Sequence, residues 1–346
     1  MKKDWMVKES ELDDDQIRVL NSILDKSMVV TGCAGSGKSV LALMKAQRIQ
    51  NERGNDYEVI VYTKALCGYM REGRQALNLH GRFTYHWWWE NRLNRPTADY
   101  VIVDEAQDFT EEEIRTLIGA ARKQFFFFGD TAQSVYHAFK PTVAMEDIGY
   151  LCDKADHPKG AELYRNYRLP LPVARLAHHV GVGLTPFDER IYQSRKATVP
   201  YVLHCDGLHG QVECICQELK KPNHDDAAIL CIDNDAVDAV HNQMESAGLK
   251  HELKSKQGDT LNFATDLPKL MTAHSAKGLQ FRTVFVVGIE RYSMDDDLRK
   301  VLYVAMTRTY EHLYLLHSGP LPFYFPPASS GLYKTSASSQ ETIEDM

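Results

Sequence analysis

The sequence predicts an α/β protein built from two parallel-sheet domains. Short apolar runs alternate with helix-forming stretches in both halves of the chain, which is typical of strands buried on both faces of a parallel sheet. The length of 346 residues exceeds what a single hydrophobic core usually fills. Hydrophobic residues make up 44% and charged residues 25%, a balance that favours folded domains over extended disorder.

In the first half, four apolar runs predict strands, and two stretches between them predict helices. The predicted strands are Ser27–Val30, Glu58–Tyr62, Tyr100–Val103 and Gln124–Phe128, and the predicted helices are Val40–Asn51 and Glu111–Arg122. The second half repeats the pattern with strands Ala227–Ile232, Thr283–Val287 and His312–Leu316, and with helices Ala236–Ala247 and Asp296–Thr309.

The domain boundary is expected between Pro141 and Gly160, a stretch of mixed charge and weak periodicity. We therefore assign residues 1–148 to the first domain and 149–327 to the second. Residues 328–346 are rich in Ser and Thr, which predicts a flexible tail.

Overall charge does not indicate a nucleic-acid-binding protein, because the net charge is −7. Any such binding must come from a local groove. The seven scattered cysteines favour neither a disulfide framework nor a four-ligand zinc site, so we expect a reduced, cytoplasmic setting. No stretch approaches the ~18 apolar residues of a membrane helix, and the first residues lack the apolar core of a signal peptide.

A phosphate-binding loop follows the first predicted strand. The segment from Gly32 to Ser39 matches the G-x-x-x-x-G-K-[ST] pattern, and a predicted helix follows it, so backbone N–H groups should converge on phosphate oxygens. We expect Lys38 to reach the terminal phosphates of ATP and the Ser39 hydroxyl to bind Mg²⁺. The alternative is an ordinary glycine-rich turn. The expected nucleotide contacts are Gly32, Ala34, Gly35, Ser36, Gly37, Lys38 and Ser39.

A pair of carboxylates ends the third predicted strand. Asp104 could bind Mg²⁺, and Glu105 could orient or deprotonate the attacking water. Acidic residues at strand ends also serve as helix caps, and Asp108 is a candidate for that role. Together with the phosphate-binding loop, these residues predict hydrolysis of a nucleoside triphosphate.

Further segments resemble motifs of the UvrD/Rep-like helicases of superfamily 1. Ordinary phosphate-loop ATPases lack these motifs. Asp15-Gln16 resembles the Q motif, which implies that Gln16 reads the adenine edge. Residues 129–133 resemble motif III, which implies that Gln133 senses the γ-phosphate. Residues 166–168 resemble motif IV, which implies that Tyr167 stacks on adenine and that Arg168 is an arginine finger.

Two later segments extend the resemblance. Residues 272–281 closely resemble motif V, which implies nucleotide contacts from Gly278 and Gln280, and residues 303–308 resemble motif VI, which implies a second arginine finger at Arg308. The resemblance implies two RecA-like domains with ATP in the cleft between them. Arginine fingers contribute about 10³ to 10⁵ in rate. The alternative for either arginine alone is a surface salt bridge, worth ~0–1 kcal/mol.

The resemblance also implies a groove for single-stranded nucleic acid. Residues 62–64 resemble motif Ia and residues 84–86 resemble motif Ib. The implied contacts with the strand are Thr63, Lys64, Tyr85, His86, Tyr136, Phe139, Thr272 and His274. Three tryptophans, Trp87 to Trp89, follow directly, and each is a candidate for base stacking or for core packing. Because consecutive side chains cannot share one face, we expect at least one in the core.

The sequence departs from the family pattern at several points. Val40 stands where the family commonly has an arginine, and Gln280 replaces a usual glutamate. The stacking aromatic expected after Gln133 is displaced to Phe139. Segments that hold whole accessory domains in larger relatives are short here, so we expect a two-domain core with a small footprint on nucleic acid.

Two functions from different classes fit these observations. The first is an ATP-dependent motor on single strands, on DNA rather than RNA and with 3′ to 5′ polarity by resemblance, aided by a protein partner. The second is an ATPase switch subunit of a larger complex, for example with a nuclease, which senses nucleic acid without productive unwinding.

Overall fold

The computed structural model of the protein describes residues 9–92, 94–131, 141–152, 157–184, 186–256, 258–293 and 295–335. Two sheets of six strands each organise these residues. Every pairing between their named strands is parallel. Helices pack on the sheets, so the predicted α/β class with two parallel sheets is confirmed.

The first sheet has the spatial order β3-β2-β4-β5-β1-β6. In chain order its strands are β1 (Met28–Gly32), β2 (Tyr57–Val61), β3 (Arg82–Tyr85), β4 (Ala98–Asp104), β5 (Ala121–Gly129) and β6 (Lys159–Leu163). The accompanying helices are α1 (Asp14–Leu20), α2 (Lys38–Arg53), α3 (Lys64–Ala76), α4 (His86–Glu90) and α5 (Glu111–Ala120).

The run of four phenylalanines in β5 shows how this sheet is buried. Phe126 and Phe128 pack in the cluster that includes Leu41 of α2, whereas Phe125 and Phe127 pack in the opposite cluster with Leu117 of α5. Alternate side chains of a strand point to opposite faces. The continuous apolar run is therefore explained by helices on both faces of the sheet.

The second sheet has the order β7-β12-β11-β8-β10-β9. In chain order its strands are β7 (Tyr201–His204), β8 (Ala227–Cys231), β9 (Glu252–Leu253), β10 (Lys269–Thr272), β11 (Phe281–Val287) and β12 (Thr309–His317). The helices of this half are α6 (Leu171–Val180), α7 (Gly207–Glu218), α8 (Asn234–Ser246) and α9 (Asp296–Met306).

The predicted domain boundary after residue 148 is too early. Strand β6 pairs with β1 along its whole length, from Met28↔Lys159 to Gly32↔Leu163, and so belongs to the first sheet. Helix α6 instead packs against α9 of the second half, and the Arg299 guanidinium donates to the Val180 carbonyl at the end of α6. The domains therefore divide between β6 and α6.

The predicted tail also begins too early. The Tyr333 ring is buried, and its hydroxyl donates to the Pro326 carbonyl at 2.9 Å. Lys334 pairs beside β7, since its carbonyl accepts the Val202 N–H at 2.8 Å. Residues 328–335 are thus part of the folded second domain.

Two predicted helices are shorter than expected. Helix α5 ends at Ala120 and α9 at Met306, because Ala121 and Thr309 start strands that pair with Ala98 and Phe281. No described helix has both the length and the apolar character needed to cross a bilayer. No disulfide joins any of the seven cysteines, all of which lie within the described residues.

Candidate active site

The glycine-rich loop between β1 and α2 forms a tight cradle. Gly35 and Gly37 have φ values of 79° and 87°, which favour glycine. A Cβ atom on Gly35 would lie 2.5 Å from Asn166 Oδ1, and one on Gly32 would lie 2.6 Å from Ser36 Oγ. The loop can therefore approach its neighbours this closely only because these positions lack side chains.

Lys38 is the first residue of α2 and folds back over the loop. Its ammonium group donates to the carbonyls of Gly32 and Cys33 at 2.8 and 2.9 Å. A glycine-rich loop at the start of a helix, with a lysine ammonium folded over it, suits an anionic phosphate chain. The structure thus brings the predicted loop residues together.

Asp104 ends β4 beside the cradle. Burial and then the charge of Glu105 raise the pKa of Asp104 to about 7. One carboxylate oxygen accepts the Glu105 N–H at 3.0 Å, and Ser39 hydrogen-bonds to the same side chain. The other oxygen, Oδ2, is buried without a hydrogen-bond partner in the described part of the chain. A carboxylate and a hydroxyl so placed fit a Mg²⁺ ion.

Glu105 adopts a left-handed backbone conformation with φ of 57°, a conformation that costs a non-glycine residue free energy and recurs at functional sites. Gln107 Nε2 donates to Glu105 Oε2 at 2.5 Å. Burial raises the pKa of Glu105, but the positive charges around it, beginning with Lys277 and Lys38, outweigh burial and lower the pKa below its usual value. Glu105 is therefore ionised at neutral pH.

The two candidate arginine fingers meet at Thr307. Arg168 Nη2 donates to the Thr307 carbonyl at 3.0 Å, and Arg308 Nη2 donates to the Thr307 hydroxyl at 3.1 Å. Burial, followed by the charge of Arg308, lowers the pKa of Arg168 to about 9. Arg308 is 1% exposed, which excludes the surface salt bridge that was the alternative for it. Both guanidinium groups lie within the interior between the two halves, where Arg308 interacts electrostatically with Glu105.

Motif V supplies a direct contact between the domains. Gly278 has φ of 77°, and a Cβ atom on it would lie 2.9 Å from Leu66 and 3.3 Å from Glu105 Oε1. Next to it, Lys277 forms a buried ion pair with Asp108 of the first domain. The sequence offered Asp108 as a candidate helix cap. The cap of α5 is instead Thr110.

A cleft of about 560 Å³ opens beside the loop and is lined from both halves. Its lining includes Gln16, Gly37, Val40, Tyr167, Gln280 and Tyr310. Tyr167 is partly exposed, its N–H donates to the Gly35 carbonyl at 3.1 Å, and its hydroxyl hydrogen-bonds to Asp13. These contacts hold the Tyr167 ring at the cleft.

The Gln16 side chain lines this cleft but is largely engaged by its neighbours. Its carbonyl oxygen accepts the Asp13 N–H at 3.1 Å, which completes the capping box of α1. Its amide nitrogen donates to the Ser36 carbonyl at 2.9 Å. Only part of its hydrogen-bonding capacity is left for a base.

Several residues predicted to contact nucleic acid already make contacts within the protein. Lys64 Nζ lies 3.0 Å from Asp259 of the second domain, and Thr63 caps α3 by accepting the Leu66 N–H. Thr272 is buried, and its hydroxyl oxygen accepts the Ser275 N–H at 3.1 Å.

Two histidines in the same prediction are shielded from solvent. His274 is half-buried, and burial followed by the charge of Lys277 lowers its pKa. His86 is 4% exposed, stacks between Tyr62 and Trp89, and meets the edge of Phe109. Its predicted contact with a strand is therefore wrong for this conformation, because the ring is part of the core. Gln133, Tyr136 and Phe139 lie outside the described residues.

The three tryptophans differ in burial. Trp89 is 1% exposed and its indole N–H donates to the Pro96 carbonyl at 3.1 Å, so it is a core residue. Trp87 and Trp88 are 57% and 43% exposed. Tyr85 contacts Trp88 edge-on at 5.8 Å, which makes an aromatic surface at the end of β3.

Three residues for which the sequence predicted no role lie at the centre of the site. Asn166 donates to the Ala34 carbonyl, Gln107 orients Glu105, and Lys277 pairs with Asp108. All three lie inside or beside the motif segments, and this proximity is the sequence feature that could have identified them as site residues. Their partners could be identified only from the fold.

Comparison with known proteins agrees with this geometry. A family model described as the viral superfamily 1 RNA helicase core domain matches residues 28–317. A protein of Mycoplasma pneumoniae named "Probable DNA helicase" is 24% identical over 266 residues, which cover 67% of this chain and 46% of that protein. "ATP-dependent DNA helicase PcrA" of Staphylococcus aureus is 38% identical over 87 residues, which cover 21% of this chain and 11% of that protein.

Among solved structures, the C-terminal domain of a possible DNA helicase from Lactobacillus plantarum WCFS1 aligns with a TM-score of 0.40 and 19% identity, over 49% of this chain and 98% of that chain. The chain spans less than half the length of the curated relatives that it matches. The family match covers most of the chain, including the phosphate-binding loop, the acidic pair and both arginines. The chain therefore belongs to the superfamily 1 helicases.

Proposed function

We propose that the protein is an ATP-dependent motor that moves along single-stranded nucleic acid, with ATP hydrolysed between its two domains. The observation that carries this proposal is the convergence of groups from both halves at Glu105. Lys38 and Asp104 lie on its first-domain side, and Gly278 and Arg308 approach it from the second domain.

In this mechanism each charged group has a distinct task. Ser39 and Asp104 would hold Mg²⁺, which supplies charge neutralisation of the phosphates when bound. Lys38 binds the terminal phosphates. Glu105, held by Gln107 and ionised, accepts a proton from the attacking water.

The two arginines would make hydrolysis dependent on domain closure. Arg168 and Arg308 stabilise the charge that develops on the transferred phosphoryl group, and both are oriented by hydrogen bonds to Thr307. Because Arg308 and Thr307 belong to the second domain, opening the cleft moves Arg308 away from the phosphates and removes the Thr307 carbonyl that orients Arg168. ATP turnover thereby reports the domain arrangement.

For the substrate we propose single-stranded DNA. The curated relatives are named as DNA helicases, whereas the family model is named for viral RNA helicases. We give more weight to the relatives, since the motifs also resemble the UvrD branch, from which we propose 3′ to 5′ movement. Exposed Trp87 and Trp88 offer rings for base stacking, worth ~1–3 kcal/mol per base. A cytoplasmic protein partner that adds grip or a second activity completes the proposal.

The test is ATP turnover by the chain with and without single-stranded DNA and RNA oligonucleotides. We expect stimulation by DNA, and loss of turnover in Lys38→Ala and Arg308→Ala. Arg175→Ala is the matched control, because Arg175 forms an exposed ion pair with Glu189 and does not line the cleft. If neither DNA nor RNA changes the rate of ATP turnover, the proposal of a motor is rejected.

The same assay separates the motor from an ATPase switch. If DNA stimulates turnover but the chain displaces no labelled strand and does not move along one, the switch in a larger complex is favoured. If Arg308→Ala behaves like the unmodified chain while Lys38→Ala is inactive, the composite site is wrong.

A further inference from the structure

Two histidines and a glutamate cluster where α8 meets β9 in the second domain. His241 and Glu245 are four residues apart on α8, so their side chains share one face of the helix. The chain then reverses at Gly248, where φ is 68°, and His251 directly precedes β9. One potential ligand atom from each of the three residues lies within 4.8 Å of the other two.

The hydrogen bonds of His251 orient its ring like that of a metal ligand. Its Nδ1 lies 2.8 Å from the Leu249 carbonyl oxygen, so this nitrogen carries the proton and donates. The lone pair of Nε2 therefore faces His241, whose Nδ1 lies 2.7 Å away. Metal-binding histidines are usually held in this way, with one ring nitrogen donating to a carbonyl and the other free for the ion.

We propose that His241, His251 and Glu245 form a binding site for a transition-metal ion, with Zn²⁺ as the ion that this donor set favours. Neutral imidazole nitrogens and a carboxylate are ordinary ligands of Zn²⁺. On binding, the ion takes the place of the proton between the two rings, and His241 carries its one proton on Nε2 instead, so both ligands remain neutral imidazoles. Water completes the tetrahedral coordination.

The geometry requires only a small adjustment. Two nitrogen ligands of a tetrahedral Zn²⁺ lie about 3.3 Å apart, given Zn–N bonds of about 2.0–2.1 Å, so the rings must separate by roughly 0.6 Å. His241 is only partly buried and can move. Glu245 is exposed, and its Oε1 lies 3.8 Å from His251 Nδ1, so a side-chain rotation brings the carboxylate to the ion.

A second cluster, formed by His86, Glu90 and Glu113, does not support the same inference. The Glu113 carboxylate accepts the Thr110 N–H in the capping box of α5. The His86 ring is stacked within the aromatic core. These groups are already committed to structural contacts.

The proposed ion would join α8 to β9, an edge strand of the second sheet. The chain after β9 contacts the first domain, since Asp259 pairs with Lys64 and Phe263 meets Tyr69 edge-on at 5.6 Å. The metal would thus fix the start of this interdomain segment to α8.

Zn²⁺ titration of the full chain tests the site without any activity assay. The chain is first stripped of metal with a chelator, and binding is measured by calorimetry together with the thermal unfolding midpoint. We expect one Zn²⁺ per chain and a midpoint that rises with Zn²⁺ concentration. We also expect Co²⁺ to give the visible absorption of a tetrahedral complex.

Variants identify the ligands. His241→Ala should weaken Zn²⁺ binding by at least about tenfold, and Glu245→Gln should weaken it to a smaller extent. His209→Ala is the matched control, because His209 and Glu213 have the same spacing on α7 and lie 3.3 Å apart, but belong to no three-residue cluster among the described residues. The proposal is overturned if the unmodified chain binds no stoichiometric Zn²⁺, or if His241→Ala binds it as tightly.

Discussion

At the scale of single residues, Asp104 and Glu105 show how neighbours in sequence can acquire opposite properties. Burial dominates for Asp104 and raises its pKa, whereas the surrounding cations dominate for Glu105 and lower its pKa. The difference arises because the charges of Lys277, Lys38 and Arg308 act on Glu105, whereas burial and the neighbouring carboxylate have the largest effects on Asp104. Such divergence is typical of paired carboxylates with separate chemical roles.

Replacement of the proposed general base should separate binding from chemistry. We expect Glu105→Gln to bind Mg²⁺-ATP about as well as the unmodified chain, while kcat falls by about 10² to 10⁴, because the amide cannot accept the proton. Steady-state turnover and binding of a fluorescent ATP analogue measure the two effects. Glu112→Gln, on the exposed side of α5, makes the same chemical change as a control. Equal turnover in the two variants would refute the role of Glu105.

At the scale of elements, the phosphate-binding loop is held by the connection between β6 and α6. Buried Asn166 donates to the Ala34 carbonyl of the loop, and its Oδ1 accepts the N–H groups of Arg168 and Leu169 at 3.0 and 2.8 Å. The Asn166 side chain therefore links the phosphate-binding loop to the segment that contains Arg168, a candidate arginine finger. The apolar pattern of the flanking strands contains no sign of this tie.

Loss of this side chain should weaken both the fold and the site. We expect Asn166→Ala to lower the free energy of unfolding by about 1–3 kcal/mol, because buried polar partners lose their hydrogen bonds. ATP affinity should fall as well, since the loop is no longer held. Chemical denaturation and nucleotide titration measure these effects, with exposed Asn51→Ala as the control. A variant as stable as the control would contradict this account.

Four of the five strands that the sequence did not predict share a cause at this scale. β3, β6, β7 and β9 lie at the edges of their sheets, whereas the fifth, β10, lies between β8 and β9. Edge strands bury less surface than central ones, and β3 and β6 include exposed, charged residues such as Arg82 and Lys159. Their apolar runs are short or interrupted, so hydrophobic patterning predicts most of the central strands and misses all four edge strands.

At the scale of the whole molecule, the contacts between domains lie close to the residues proposed to bind nucleic acid. Lys64 begins α3 and pairs with Asp259, which also pairs with Lys254 at 3.0 Å. Phe263 packs on Tyr69 of the same helix. The Asp259 carboxylate of the second domain thus pairs with Lys64, the lysine that is proposed to bind the phosphates of a nucleic-acid strand.

Removal of this competing carboxylate should strengthen binding of single strands. We expect Asp259→Asn to tighten binding of single-stranded DNA by up to about fivefold at low salt, consistent with an ion pair worth ~0–1 kcal/mol. The gain should shrink as salt rises. Fluorescence anisotropy at two salt concentrations measures it. Asp235→Asn is the control, because Asp235 pairs with Lys256 inside the second domain. Weaker binding by Asp259→Asn would contradict the prediction.

The sequence by itself determined the features that depend on neighbouring residues. Glycines that tolerate positive φ, a strand before them and a helix after them specify the phosphate-binding loop, and continuous apolar runs specify most of the central strands. The same local patterns, in the same order, carried the family resemblance from Gln16 to Arg308.

Only the tertiary structure decided which distant residues meet. Lys277 and Asp108 are 169 residues apart, and their buried pair follows from the packing of the two domains. Packing also placed His86 and Trp89 in the core while leaving Trp87 and Trp88 exposed, moved the domain boundary past β6, and brought His241 against His251. Burial and long-range pairing depend on the whole arrangement of elements, and a local pattern of residue types does not contain that arrangement.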